Sequence, residues 1–149
     1  MSSTTMSSTT AGLFRHNILS LFVAGAISVI VFQHGSIAIL NALGYAGQPF
    51  GYTKTAPFGV PQIWSFAFWG GIWGIVFGAV ESRFPEGPMY YVASFLFGAI
   101  FPVLVLWFIV FPLKGQPMAA GWDITRMVVQ VIHHGFWGLG TGVLLKWRA

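Results

Sequence analysis

Residues 90–111 read YYVASFLFGAIFPVLVLWFIVF and contain no charged side chain. A helix needs roughly 20 apolar residues to cross a bilayer core that is about 30 Å thick, and this stretch is long enough to do so. Two similar stretches precede it and one follows it. The sequence therefore predicts four membrane-spanning helices, at about residues 18–43, 61–80, 90–111 and 124–145.

The composition of the chain is that of a membrane protein rather than a soluble domain. Charged residues make up only 7% of its 149 residues, whereas a soluble domain usually contains about 25%. The formal net charge of +4 comes from dispersed cations, which form no basic stripe that could bind nucleic acid. We therefore expect the lipid bilayer, and no nucleic acid, as a partner of the chain.

The connections between the predicted helices indicate how the helices are arranged. Short loops join the second helix to the third and the third to the fourth, which favours antiparallel neighbours. We predict an all-α integral membrane protein with four transmembrane helices in an up-down-up-down antiparallel bundle, forming a single domain over residues 18–149. Residues 1–17 begin with MSSTT twice over and are predicted to be a disordered Ser/Thr-rich tail.

The basic residues near the helix ends predict the orientation of this bundle. An even number of spans places both termini on one side, and cytoplasmic loops are richer in lysine and arginine. The terminal side has four such residues and the opposite side has three, which favours cytoplasmic termini in a bacterial cytoplasmic (inner) membrane. The four are Arg15, Arg83, Lys146 and Arg148, and the three are Lys54, Lys114 and Arg126.

Glycines recur at four-residue spacing in two of the predicted helices. Gly70, Gly74 and Gly78 lie in the second helix, and Gly138 and Gly142 lie in the fourth. Small residues at this spacing let membrane helices approach closely, so we predict helix-packing faces at these positions. The alternative is that the flat glycine surfaces make room for a planar cofactor or a lipid tail.

Histidines lie unusually deep in the predicted first and fourth helices. His34 is ten residues before Gly44, and His134 is ten residues after Ile124. At 1.5 Å of rise per residue, each lies about 15 Å below the same membrane face, near the middle of the bilayer. Glutamines occur at similar depth, and the candidate intramembrane polar cluster comprises Gln33, His34, Gln130, His133 and His134.

Three roles for this cluster remain open from the sequence. His34 and His134 could be the two axial ligands of haem b in a small electron carrier. Gln33, His34, Gln130 and either His133 or His134 could line a channel or transporter for protons or a neutral solute, because ionisable residues inside membranes are usually functional. The third role is structural hydrogen bonding between helices. Adjacent residues on a helix point about 100° apart, so His133 and His134 are not expected to share a face.

The sequence predicts no catalytic or metal-binding role for the remaining polar residues. Glu81 and Glu86 flank Arg83 beyond the second helix, which predicts an exposed ion pair of small energetic value. The chain contains no cysteine, and no metal site, catalytic residue, hydrolase motif or phosphate-binding loop is predicted. The leading interpretation is a non-enzymatic accessory or scaffold subunit without a cofactor. Its partners would be other membrane subunits, or copies of itself contacting through the glycine faces.

Overall fold

Four long helices dominate the computed structural model, which describes residues 15–148 of the chain. Each is long and apolar enough to cross a membrane, which confirms the predicted number of such helices. The predicted tail, residues 1–17, lies outside the described residues except for positions 15–17. The helices are α1, Ile18–Ala42; α2, Gln62–Arg83; α3, Met89–Leu113; and α4, Ile124–Arg148.

Two of these helices contain a wide π turn. In α1 the turn covers Val29–Gln33, and in α3 it covers Leu106–Val110, shortly after Pro102. A π turn adds one residue to the usual hydrogen-bonded ring, is rare, and occurs mostly as a single turn inside an α-helix. Each π turn therefore changes the direction in which the following side chains point.

The connections contain structure that an all-α prediction omits. Lys54–Thr55 (β1) and Val60–Pro61 (β2) pair as a small antiparallel hairpin in the connection between α1 and α2. Strands of two residues are too short to leave a repeating pattern in a sequence. Before α4, Met118–Trp122 form a tight turn in which Ala119 and Ala120 have φ values of 51° and 56°. This turn is left-handed, so it does not extend either neighbouring helix.

Glycines bring α1 against α2. A Cβ atom on Gly25 would overlap the carbonyl of Gly70 and lie 3.0 Å from the Cα of Gly74. Gly74 in turn faces the backbone of Leu21, and Gly78 faces its side chain. Because no side chain fits between them, the two backbones touch along this face.

The same arrangement joins α3 to α4. A Cβ atom on Gly98 would overlap the carbonyl of His134 and lie 2.9 Å from the Cα of Gly138. Ser94 of α3 covers both Gly138 and Gly142. All five glycines predicted to pack therefore contact partners within one chain.

Trp137 links the two helix pairs. This side chain is 2% exposed, and its Nε1-H donates to the carbonyl of Gly25 at 3.0 Å. The hydroxyl of Ser28 donates to the carbonyl of Trp137 at 2.6 Å. As a result α1 lies between α2 and α4, and α4 lies between α1 and α3. Aromatic side chains such as Phe77 and Phe97, whose ring centroids are 5.4 Å apart, fill the space between α2 and α3.

Candidate functional site

The π turn of α1 directs Gln33 toward α4. Gln33 is the last residue of the turn and is buried, and its Nε2 lies 3.1 Å from Nδ1 of His133. A side-chain NH₂ group only donates hydrogen bonds, so Nδ1 of His133 accepts and the ring proton lies on Nε2. This bond directly joins two of the predicted cluster residues across the contact between α1 and α4.

His34 follows immediately but occupies different surroundings. Its Nδ1-H donates to the carbonyl of Val29 at 3.0 Å, and the residue is 3% exposed. The ring centroids of Phe50 and Phe66 lie 5.3 and 6.0 Å from that of His34. His34 therefore packs toward α2 and the first connection, whereas Gln33 faces α4.

Gln130 connects α3 to the cluster. The indole N-H of Trp107 donates to Oε1 of Gln130 at 2.6 Å, and Nδ1-H of His134 donates to its backbone carbonyl at 2.8 Å. Trp107 lies in the π turn of α3. Both π turns thus supply a side chain that bonds to this cluster, and π turns are often found at functional sites.

His133 and His134 lie together, although the sequence predicted that they would not share a face. Their ring centroids are 4.4 Å apart, with an angle of 34° between the ring planes. The separation of about 100° along the helix sets only where each side chain starts. Rotation about the side-chain bonds then determines where each ring lies, and here it brings the two rings into contact.

A cavity of about 230 Å³ reaches His133 from the helix ends that lie away from the chain termini. His133 is nine residues after Ile124, which corresponds to about 14 Å of depth at the usual helical rise. The cavity is bounded by α1, α4 and the first connection, and its polar lining residues are Tyr45, Gln48, Arg126, Gln130 and His133.

The contacts of this region argue against the haem considered above. A haem held by His34 and His134 would need a flat gap between α1 and α4 at this depth. Instead, Gln33 of α1 bonds to His133 of α4, and His34 packs against aromatic rings on the side of α2. Within residues 15–148, no three His, Cys, Asp or Glu side chains are grouped so that they could hold a metal ion.

A visible spectrum tests this conclusion. We expect protein expressed with ample haem and purified in detergent to show no sharp α band after dithionite reduction, because His34 packs toward α2 while α1 and α4 are joined by the bond between Gln33 and His133. A reduced α band that disappears in His34→Ala would contradict the geometry and support the electron carrier.

A second buried polar group lies at the opposite end of the helices. Glu81 is 1% exposed; its Oε1 accepts from the hydroxyl of Tyr90 at 2.6 Å, and its Oε2 lies 3.4 Å from Nε2 of His16. Among the buried side-chain nitrogen and oxygen atoms that the structure describes, this Oε2 is the one that forms no hydrogen bond. The amino group of Lys146 lies 4.5 Å from the centre of the Tyr90 ring.

The prediction of an exposed ion pair between Arg83 and its flanking glutamates is therefore wrong for Glu81, which is buried and contacts Tyr90 and His16 instead. Gly70, Gly74 and Gly78 define the buried face of α2, and Glu81 follows Gly78 by three residues. Positions three and four apart lie on the same helix face, so extending the glycine stripe by one turn would have placed Glu81 inside. The contact of Trp107 with Gln130 has no comparable signal in the sequence.

Two buried polar clusters thus stand out, one around Gln33 and His133 near the middle of the helices and one around Glu81 near the termini. Comparison of the chain with protein-family models, with curated proteins and with solved structures finds no match. The function proposed for the chain therefore rests on its own residues.

Proposed function

We propose that the chain is an integral membrane protein whose helices form an up-down-up-down antiparallel bundle, with cytoplasmic termini in a bacterial inner membrane. The apolar length of the four helices supports insertion. The antiparallel order is supported by contacts that run in opposite directions along α1 and α2, where Val29 meets Gly70 and Leu21 meets Gly78. The cavity above His133 then opens on the non-cytoplasmic side.

We further propose that this protein, which is not an enzyme, relays protons. The observation that carries this proposal is the hydrogen bond between Gln33 and His133 at the deep end of the cavity. The amide of Gln33 has a donor and an acceptor end, so by rotating it can bond to His133 before and after Nδ1 gains a proton. His134 donates through Nδ1 and therefore has Nε2 free to accept a proton.

Buried hydroxyl groups extend from the histidines toward Glu81. Ser28 and Thr141 both donate to the carbonyl of Trp137, at 2.6 and 2.9 Å. Ser94 donates to the carbonyl of Tyr90 at 2.8 Å, and the Tyr90 hydroxyl donates to Glu81. All four hydroxyl residues are at most 1% exposed. We propose that these groups, with water between them, complete the path to the cytoplasmic side.

Proton flux into liposomes tests the proposed relay. Purified protein is reconstituted around a pH-sensitive dye, and valinomycin with a potassium gradient supplies the driving force. We expect the wild type to acidify the interior faster than empty liposomes do. His133→Gln keeps a hydrogen-bonding group but cannot take up a proton, and Gln33→Leu removes its partner, so both should fall to the rate of empty liposomes. Gln116→Leu, in an exposed connection, is the control for Gln33→Leu and should match the wild type.

The outcomes also separate the proposed relay from its alternatives. Flux that is unchanged in a correctly folded His133→Gln variant would contradict the relay. If the wild type conducts no protons but accelerates osmotic swelling of liposomes in a neutral solute, the cavity serves that solute instead. If it does neither, the accessory or scaffold role is favoured.

A further inference from the structure

A long apolar groove runs between α2 and α3. It has a volume of about 520 Å³. Its wall on α2 consists of Trp73, Val76, Val80 and Arg83, which recur at helical spacing, so a single stripe of α2 faces the groove. The opposite wall is formed by residues of α3, namely Ala93, Leu96, Phe97, Ile100 and Phe101.

The groove exists because α2 and α3 are the neighbouring helices without glycine contacts. The glycine face of α2 is used against α1, and that of α3 against α4. Phe77 and Phe97 meet edge to face between α2 and α3 and keep the two backbones apart. Val76, Leu96 and Ile100 on the rim of the groove are exposed, so in a membrane the groove is open to lipid along its side.

The length of the groove matches one leaflet of a bilayer. Arg83 lies at the end of α2, and Trp73 lies ten residues before it. At 1.5 Å per residue this separation is about 15 Å, which is half of a hydrocarbon core that is about 30 Å thick. A lipid chain that starts at the level of Arg83 would therefore reach Trp73 near the middle of the membrane.

The charge at the end of the groove complements a phosphate. Arg83 is exposed, and among the described residues its guanidinium forms no ion pair. Guanidinium groups bind phosphate oxygens through two parallel hydrogen bonds. We propose that the groove binds an anionic phospholipid, with an acyl chain against Trp73, Val76 and Val80 and the headgroup phosphate on Arg83. The inference rests on the proposed membrane placement and is independent of the proton relay.

Fluorescence quenching by brominated lipid tests this inference, because Trp73 lines the groove. The full-length protein in detergent is titrated with phosphatidylglycerol whose acyl chains carry bromine. We expect saturable quenching of tryptophan emission, with a saturable amplitude that is smaller in Trp73→Phe. Phosphatidylcholine brominated in the same way should bind more weakly. Ala93→Phe places a ring in the groove and should remove the saturable component.

The contribution of Arg83 is measured with a matched pair of variants. One arginine near a membrane surface changes the affinity for anionic lipid by about fivefold, so Arg83→Gln should weaken phosphatidylglycerol binding by that factor. Lys114→Gln removes the same charge from an exposed position at the opposite end of α3 and should leave the affinity unchanged. Circular dichroism verifies that each variant is folded.

Several results would overturn the proposal. Quenching that never saturates, or a full saturable amplitude in Trp73→Phe, would mean that no lipid occupies the groove. Phosphatidylcholine has the same phosphate, but its choline cation cancels the charge, so equal affinity for the two lipids in the wild type would exclude selection of an anionic phospholipid, even if Arg83→Gln did not fold. Retention of the chain in carbonate-washed membranes tests the proposed membrane insertion separately. A failure of lipid binding in the groove is therefore distinguishable from a failure of the proposed membrane insertion.

Discussion

Replacing Gly98 with leucine is expected to destabilise the protein by about 3 kcal/mol or more, at or beyond the upper end of the usual effect of overpacking a core. The added Cβ would overlap the carbonyl of His134 and lie 2.9 Å from the Cα of Gly138. Both obstacles are backbone atoms, which cannot rotate away as a side chain can. The whole of α4 would have to move away from α3. The free energy of unfolding in detergent, followed by circular dichroism, measures the effect.

Gly35→Leu is the matched control for this substitution. Gly35 also lies inside a long helix, but a Cβ there would meet no described atom within 4 Å. Leucine favours helix over glycine by about 1 kcal/mol or slightly less, so Gly35→Leu should be neutral or mildly stabilising. If Gly98→Leu were as stable as Gly35→Leu, the close contact between α3 and α4 would be wrong.

Removing the hydroxyl of Tyr90 should produce the second large effect. Tyr90→Phe leaves Oε1 of Glu81 buried without the donor that now lies 2.6 Å away. A buried acceptor that loses its partner costs about 1–3 kcal/mol, and we expect a value near the middle of this range. The neighbouring Tyr91 is 38% exposed, so Tyr91→Phe should change the unfolding free energy very little.

A double variant separates a lost hydrogen bond from general damage to packing. Replacing both partners of a hydrogen bond by apolar groups of similar shape can be nearly neutral. Tyr90→Phe combined with Glu81→Met should therefore be more stable than Tyr90→Phe alone. Equal stability of the double variant and the single variant, or of Tyr90→Phe and Tyr91→Phe, would show that the bond to Glu81 contributes nothing.

The long helices were predictable because hydrophobic length is a local property of the chain. The same holds for the positions of His34 and His134 near the middle of their helices, which follow from counting residues along the chain. Gly70, Gly74 and Gly78 also stand out by their spacing. Their partner Gly25 does not, because a single glycine within an apolar run forms no pattern that distinguishes it from its neighbours.

The geometry of the candidate site was less predictable, because it depends on departures from regular helix. The π turn at Val29–Gln33 determines that Gln33 faces α4 while His34 faces α2. A π turn of this kind cannot be predicted from hydropathy or from residue spacing. The position of Trp107 follows from the second π turn in the same way. The contact between the rings of His133 and His134 depends on side-chain rotation, which residue spacing does not determine.

The glycine contacts also bear on the order in which the protein is made. The contacts between glycine backbones, Gly25 with Gly70 and Gly98 with Gly138, each join consecutive helices, so each helical hairpin contains a close backbone contact of its own. The ribosome completes the first hairpin before the second, and units formed early in synthesis can fold first. The first hairpin can therefore close while the second is still being translated. Trp137 arrives last and docks onto Gly25, joining two units that are already formed.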